Sequence, residues 1–316
     1  MLNGEAKPIT INDVEELSNV GGTILGTSRA NPTKKEEDIK RVFQTFQNLK
    51  LDALIAMGGE DTLGAASRLF QKGLPCVGVP KTMDNDLSAT DFTFGFDTSV
   101  TVAVEALERL RDTGKSHRRI MVLEVMGRHA GWVALYTGLG GGADWTLIPE
   151  QPVDLIALCD HLKKVYARRR YGLVVVSEGV QLADTQGAEE KDAPRISSGS
   201  VTNKALSETK DAFGHMILKK RGIGELLAQK IEEVTKIETR VAVIGHIQRG
   251  GAPTLFDRIL GFRAGVKAIE LVHDRKFGEM ACLRGNEMTS VSLSEATGTL
   301  KTVPVEWWNF AKVFFK

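Results

Sequence analysis

The feature that most constrains this chain is a rhythm of short apolar runs, each closed by a polar loop and followed by a stretch with helical spacing. Residues 51–57 (LDALIAM) read as a buried strand ending at Gly58-Gly59. Over 62–72, Leu63, Ala66, Leu69 and Phe70 fall on one helical face. Residues 76–79 read as a strand halted by Pro80, 99–111 as a helix, 120–125 as a strand and 132–137 as a short helix. A helix with a basic end is predicted over 155–169 and a strand over 173–176. The polar segment 181–207 reads as a surface loop, followed by a helical region to about residue 237. A strand over 241–244, a helix over 255–273 and a weaker, strand-like tail complete the chain. Strand, loop and helix alternating in this way predict parallel sheets covered by helices. In such sheets ligands bind beyond the carboxyl ends of the strands, so the loops after the strands are where chemistry belongs.

Composition narrows the function classes. The 316 residues are enough for two domains, and 42% apolar with 26% charged is a globular profile. Lys plus Arg is 41 against 40 for Asp plus Glu, so bulk charge points to neither nucleic acid nor membrane. No apolar run approaches the roughly 18 residues of a membrane span, and the polar start has no secretory pattern. Cys76, Cys159 and Cys282 are far apart without metal-ligand spacing, and are expected to be reduced thiols of a cytoplasmic protein.

The strand-end loops carry the chemistry. Gly58-Gly59-Glu60-Asp61-Thr62 joins a strand to a helix, where free N–H groups and a partial positive charge favour phosphate. Two acids there make sense with a cation between them and the phosphate, or as simple partners of the helix dipole. Pro80-Lys81-Thr82-Met83-Asp84-Asn85-Asp86 offers an ammonium for phosphate and a carboxylate able to take a hydroxyl proton. The same residues also suit an Asx-rich turn. Glu124–Gly131 (EVMGRHAG), Ser177-Glu178-Gly179 and Gly245-His246-Ile247-Gln248-Arg249-Gly250-Gly251 follow three further strands. Arg128, His246 and Arg249 there could clamp a sugar phosphate or simply face solvent. A dinucleotide-binding dehydrogenase would need a Gly-x-Gly-x-x-Gly turn after its first strand, and none stands there.

Taken together, GGEDT, PKTMDND, EVMGRHAG, SEG and GHIQRGGAPTLFDR, with GGTILGTSR at 21–29, resemble the phosphofructokinase family in order and spacing. The resemblance implies an α/β fold of two Rossmann-like parallel-sheet domains covered by helices. A donor domain of residues 1–95 plus about 248–298 is expected, and a fructose 6-phosphate domain of 96–247 plus about 299–316. It implies Asp84 as general base on the sugar 1-hydroxyl, Thr82 beside it, Asp86 as electrostatic support, Glu60 as the Mg²⁺ ligand and Arg29 facing the transferring phosphoryl. Met83, Met126, Gly127, Arg128, Glu178, His246, Ile247, Gln248 and Arg249 correspond to the sugar-phosphate pocket, and Gly58, Gly59, Asp61 and Lys81 to the donor site. Arg119 and Arg240 match arginines that reach a neighbouring subunit's pocket, which implies a homodimer or homotetramer with shared sites. Asp61 and Lys81 resemble the pyrophosphate-dependent signature, because a carboxylate at 61 would repel a nucleotide's α-phosphate. An ATP-dependent enzyme and a non-catalytic sugar-phosphate-binding subunit are the alternatives. The family opens with a strand and a glycine-rich donor loop, and neither precedes Gly21. The first domain is therefore expected to lack its N-terminal strand, leaving an open sheet edge.

Overall fold

The computed structural model describes residues 1–28, 30–182 and 222–315. Arg29, most of the polar segment predicted over 181–207, and the first part of the helical region after it lie outside the described residues. In chain order the elements are α1 (Ile11–Val14), α2 (Glu36–Asn48), β1 (Leu54–Gly58), α3 (Glu60–Gln71), β2 (Cys76–Pro80), α4 (Phe96–His117), β3 (Ile120–Val125), α5 (Trp132–Gly141) and β4 (Trp145–Leu147). There follow α6 (Leu155–Arg169), β5 (Gly172–Ser177), α7 (Ile223–Thr235), β6 (Thr239–Val243), α8 (Leu255–His273), β7 (Glu279–Arg284), β8 (Glu287–Ser292), α9 (Leu293–Gly298) and α10 (Val305–Lys312). The chain divides into two compact units: Met1–Glu105 with Gly245–Val303, and Ala106–Ile244 with Pro304–Lys316. The first crossing falls within α4 rather than at its start, because the helix runs on without a break.

Unit 1 holds a sheet in the order β1-β2-β7-β8. β1, β2 and β7 are parallel, and β8 turns back antiparallel on β7. Along β2 the side chains alternate between two cores. Cys76 faces Ile39 and Val42 of α2 and Leu63 and Leu69 of α3. Val77 and Val79 face Ala264, Ala268 and Leu271 of α8. A strand covered on both faces has no reason to carry polar residues, which is why it reads as a continuous apolar run. β1 differs from the buried strand predicted over 51–57. It begins at Leu54, pairs only with β2, and leaves Met57 44% exposed. Among the described residues no strand precedes it. On α8, Leu255, Ile259, Phe262, Val266 and Ile269 form a second apolar stripe on the side away from the core, and all are exposed.

Unit 2 holds an all-parallel sheet in the order β4-β5-β3-β6. Every residue of β3 and β5 is buried. One face packs on Leu158 and Leu162 of α6 and Leu227 and Ile231 of α7, and α5 packs against β4 and β5. α5 ends where Gly142 takes the left-handed conformation that caps helices. The strand-like tail expected after residue 273 holds for β7 and β8, but the last residues form the helices α9 and α10. The aromatic residues of α10 have strand propensity, but Ala311 is buried and Trp307 stacks on Tyr136 of α5 at 5.5 Å, so packing overrides propensity. The three cysteines are buried and unpaired, and burial pushes the Cys76 thiol up to about 12. No helix among the described residues is long and apolar enough to cross a membrane.

Candidate active site

The acidic half of the site is built where β1 and β2 end side by side. Gly59 caps α3, so Glu60 and Asp61 occupy that helix's first turn, where a carboxylate is favoured by the helix dipole. A Cβ on Gly58 would lie 2.4 Å from Thr62, and one on Gly59 would press on Thr82 at 3.3 Å. Glycine at 58 thus lets the strand turn tightly into α3, and glycine at 59 lets the loop after β2 approach. The Lys81 N–H donates to the Gly58 carbonyl at 3.0 Å, carrying the pairing one residue past the strands.

The loop after β2 is held by its own polar side chains. Thr82 Oγ1 accepts from the Asp84 N–H at 3.2 Å, and the Thr93 hydroxyl donates to the Thr82 carbonyl at 2.7 Å. Asn85 is buried with φ of 51°, a left-handed conformation that asparagine tolerates better than most residues. Its Oδ1 accepts from the Thr93 N–H at 3.1 Å and its Nδ2 donates to the Asp91 carbonyl at 3.4 Å. The turn-forming and catalytic roles foreseen for this segment are therefore compatible: the Asx chemistry shapes the loop that carries the acids. Burial, together with the negative charge of Asp84 and of the more remote Glu60 and Asp61, raises the Asp86 carboxyl to about 7. Asp86 Oδ1 is buried without a hydrogen-bond partner. Such a carboxylate group demands a proton or a cation nearby. Among the described residues no three His, Cys, Asp or Glu form a metal cage. Mg²⁺, however, commonly takes only one or two carboxylates plus phosphate oxygens. The acid pair on α3 and the orphaned Asp86 oxygen fit that donor set.

The turn at Gly245–Arg249 belongs to the same unit. Gln248 is buried and donates to the Ser99 hydroxyl at 3.3 Å, and that hydroxyl meets the buried Met83 sulfur at 3.9 Å. His246, Ile247 and Arg249 remain exposed. Of the predicted pocket residues in this unit, Met83 and Gln248 therefore hold the framework, while His246 and Arg249 are open to a ligand.

In unit 2 the carboxyl ends of β3 and β5 are joined through backbone. The Glu178 N–H donates to the Val125 carbonyl at 2.9 Å and the Gly179 N–H to the Gly127 carbonyl at 3.1 Å. Gly127 has φ of +139°, and a Cβ there would lie 2.6 Å from Ser177 Oγ. A Cβ on Gly179 would collide with the Arg128 carbonyl at 2.0 Å. This zipped junction leaves Arg128 exposed and Glu178 half-buried, with Met126 buried beneath.

Arg119 and Arg240 are not part of this group. They stand at the amino ends of β3 and β6, where Ile120 pairs with Thr239. Arg119 bridges to Glu238 at 2.8 Å, and Arg240 bridges to Glu238 and, at 3.6 Å, to Glu232. The hydrogen bond and charge of Arg119 hold the Glu238 carboxyl below its ordinary range. A six-residue strand, about 20 Å long, separates them from Arg128. Sequence reasoning also missed Lys301, which donates to the Thr90 and Asp91 carbonyls in the acidic loop. No local motif surrounds it.

A sequence model described as phosphofructokinase matches residues 1–272. The pyrophosphate–fructose 6-phosphate 1-phosphotransferase of Dictyoglomus thermophilum is 46% identical over all of this chain and 86% of its own length. The ATP-dependent 6-phosphofructokinase of Corynebacterium efficiens is 42% identical over 96% of this chain and 83% of its own. The crystal structure of a pyrophosphate-dependent phosphofructokinase from Marinobacter aquaeolei matches with a TM-score of 0.72 at 23% identity, covering 90% of this chain and 68% of that one.

Proposed function

The chain belongs to the phosphofructokinase family, and from that premise we propose that it moves a phosphoryl group from pyrophosphate to the 1-hydroxyl of fructose 6-phosphate. The products are fructose 1,6-bisphosphate and inorganic phosphate. The observation that carries the donor choice is that Asp61 stands in the first turn of α3 and Lys81 one residue beyond β2, on loops tied together by the Lys81 N–H and the Gly58 carbonyl. The carboxylate repels a nucleotide's α-phosphate, and the ammonium attracts a pyrophosphate oxygen.

Asp84 takes the proton of the 1-hydroxyl as its oxygen bonds to the transferring phosphorus and the bridging oxygen of pyrophosphate leaves. Thr82, already bonded to the Asp84 N–H, orients the base. Asp86 supplies the field around it. Part of Asp86 is protonated near neutral pH, and this limits the repulsion among the acids. Glu60 would hold Mg²⁺, which when bound neutralises phosphate oxygens. Gly58 and Gly59 give the donor backbone access. Arg128, His246 and Arg249 bind the sugar phosphate, with Glu178 at a sugar hydroxyl. Arg119 and Arg240, remote from Arg128 on their own chain, serve a second copy's site.

Steady-state assays with pyrophosphate and with ATP test this reading. Turnover with pyrophosphate and little with ATP is the expected result, and turnover with ATP alone defeats it. Asp61→Gly should lower the pyrophosphate-to-ATP preference by about tenfold or more. An unchanged ratio would show that charge repulsion at this position does not select the donor. The ATP-dependent reading is kept as the second one because relatives with that name share 42% identity.

A further inference from the structure

The loop bearing Asp84 is fixed from a distant part of the chain. Between Leu87 and Leu300 there is an antiparallel bridge, and the Lys301 N–H donates to the Asp86 carbonyl at 2.8 Å. The Lys301 ammonium then reaches across the loop and donates to the carbonyls of Thr90 at 2.9 Å and Asp91 at 2.7 Å. Both ends of this one residue therefore hold the segment that runs from Asp84 toward α4. Other bonds from the same region point the same way. Ser88 donates to the Glu295 carbonyl at 2.9 Å, and the Asp91 N–H donates to the Leu283 carbonyl at 2.8 Å.

A partly buried ammonium is costly to hold unless its protons are taken. Burial does pull the Lys301 pKa down, to about 8, while the charges of Asp91 and Asp86 favour the protonated form. A neutral, shorter or apolar side chain would satisfy the packing more cheaply. An ammonium there is explained by the two carbonyls it holds and the carboxylates it faces.

We infer that Lys301 is a positioning residue for phosphoryl transfer: by clasping the Thr90 and Asp91 carbonyls it holds the loop that places Asp84 against the acceptor hydroxyl. It acts through that loop. The inference rests on the activity proposed above, so its test has one arm that needs no activity.

In the full chain, Lys301→Met keeps the length of the side chain and removes the donors. It should lower kcat with pyrophosphate by about 100-fold and leave the KM for fructose 6-phosphate within about threefold. Lys301→Arg, which keeps charge and donors, should recover most of kcat. In parallel, amide hydrogen exchange is measured without substrate. Lys301→Met should speed exchange at residues 84–93 while α8 and β7 keep their protection. Unchanged exchange in the loop overturns the inference. So does equal loss of protection across unit 1, which is the mark of a merely structural lysine. An unchanged kcat overturns it as well. If the parent chain transfers no phosphoryl group from either donor, the activity reading fails, and the exchange arm alone decides the role of Lys301.

Discussion

The acidic loop of unit 1 and the glycine junction of unit 2 both follow parallel strands, yet the balance of what holds them differs. Around Asp84 the backbone is pinned by side chains: Thr82, Asn85 and Thr93 within the loop, and Lys301 from far along the chain. Around Arg128 the backbone largely pins itself, through Val125, Gly127, Glu178 and Gly179, with the Ser177 hydroxyl adding one bond to the Gly127 carbonyl, and the absence of a side chain at Gly127 and Gly179 is what allows the close approach. The strands that lead into the two regions do not explain this, since β2, β3 and β5 are all buried along their whole length. What differs is the neighbour: among the described residues β1, beside the acidic loop, pairs only with β2. The acidic loop, held mainly by side chains, should respond to changes of charge, and the glycine junction to an added carbon.

The largest effect should come from the acidic loop. Asp84→Asn keeps the shape and removes the base, and should lower kcat by about 1,000-fold with little change in the unfolding midpoint. A drop in kcat below tenfold would mean that some other group takes the proton. In unit 2 the corresponding loss is one of binding. Arg128→Ala should raise the KM for fructose 6-phosphate by about 10- to 100-fold and leave kcat near its parent value, the size of a lost charged hydrogen bond. If kcat falls and KM holds, the division of labour between the two regions is wrong.

Gly127→Ala tests the steric half directly. Its φ is unfavourable for a side chain and its Cβ would strike Ser177, so urea unfolding should show a loss of about 1–3 kcal/mol. A neutral result would mean that the junction gives way and is not packed as described. The smallest effect concerns pH. The folded state holds the Asp86 proton up to about pH 7, whereas the unfolded chain releases it near the ordinary aspartate value of about 3.9. Between those limits the folded state binds more protons, so this group's contribution to stability is present at the acid end and is lost as pH rises to 7. Asp86→Asn should flatten that part of the curve of denaturation midpoint against pH. A slope that persists in the variant assigns it to another group.

Strong periodicity made several elements legible. β3, α6 and α8 coincide with the segments predicted over 120–125, 155–169 and 255–273, because each carries an uninterrupted pattern of its own period. β4 is three residues long, too short to show a pattern. α2 does recur at helical spacing through Ile39, Val42, Phe43 and Phe46, but its mostly polar composition hides it. The reversal of β8 was invisible, since strand direction is set by pairing and not by local composition. The site divides in the same manner. Residues whose role is local, such as Gly59, Asp84 and Gly127, sit in compact motifs. Lys301 meets its loop from more than 200 positions away. Nothing in its neighbours announces that.

That distance also sets an order of events during synthesis. The unit 2 sheet is drawn from one continuous stretch, Ile120 to Val243, and can assemble as soon as that stretch has left the ribosome. The unit 1 sheet cannot. β2 must wait for β7, Gly78 pairing with Met280, and the acidic loop must wait for residue 301. The acidic loop, made before any strand of the unit 2 sheet, thus takes its shape only after the last strand of that sheet and residue 301 have been made.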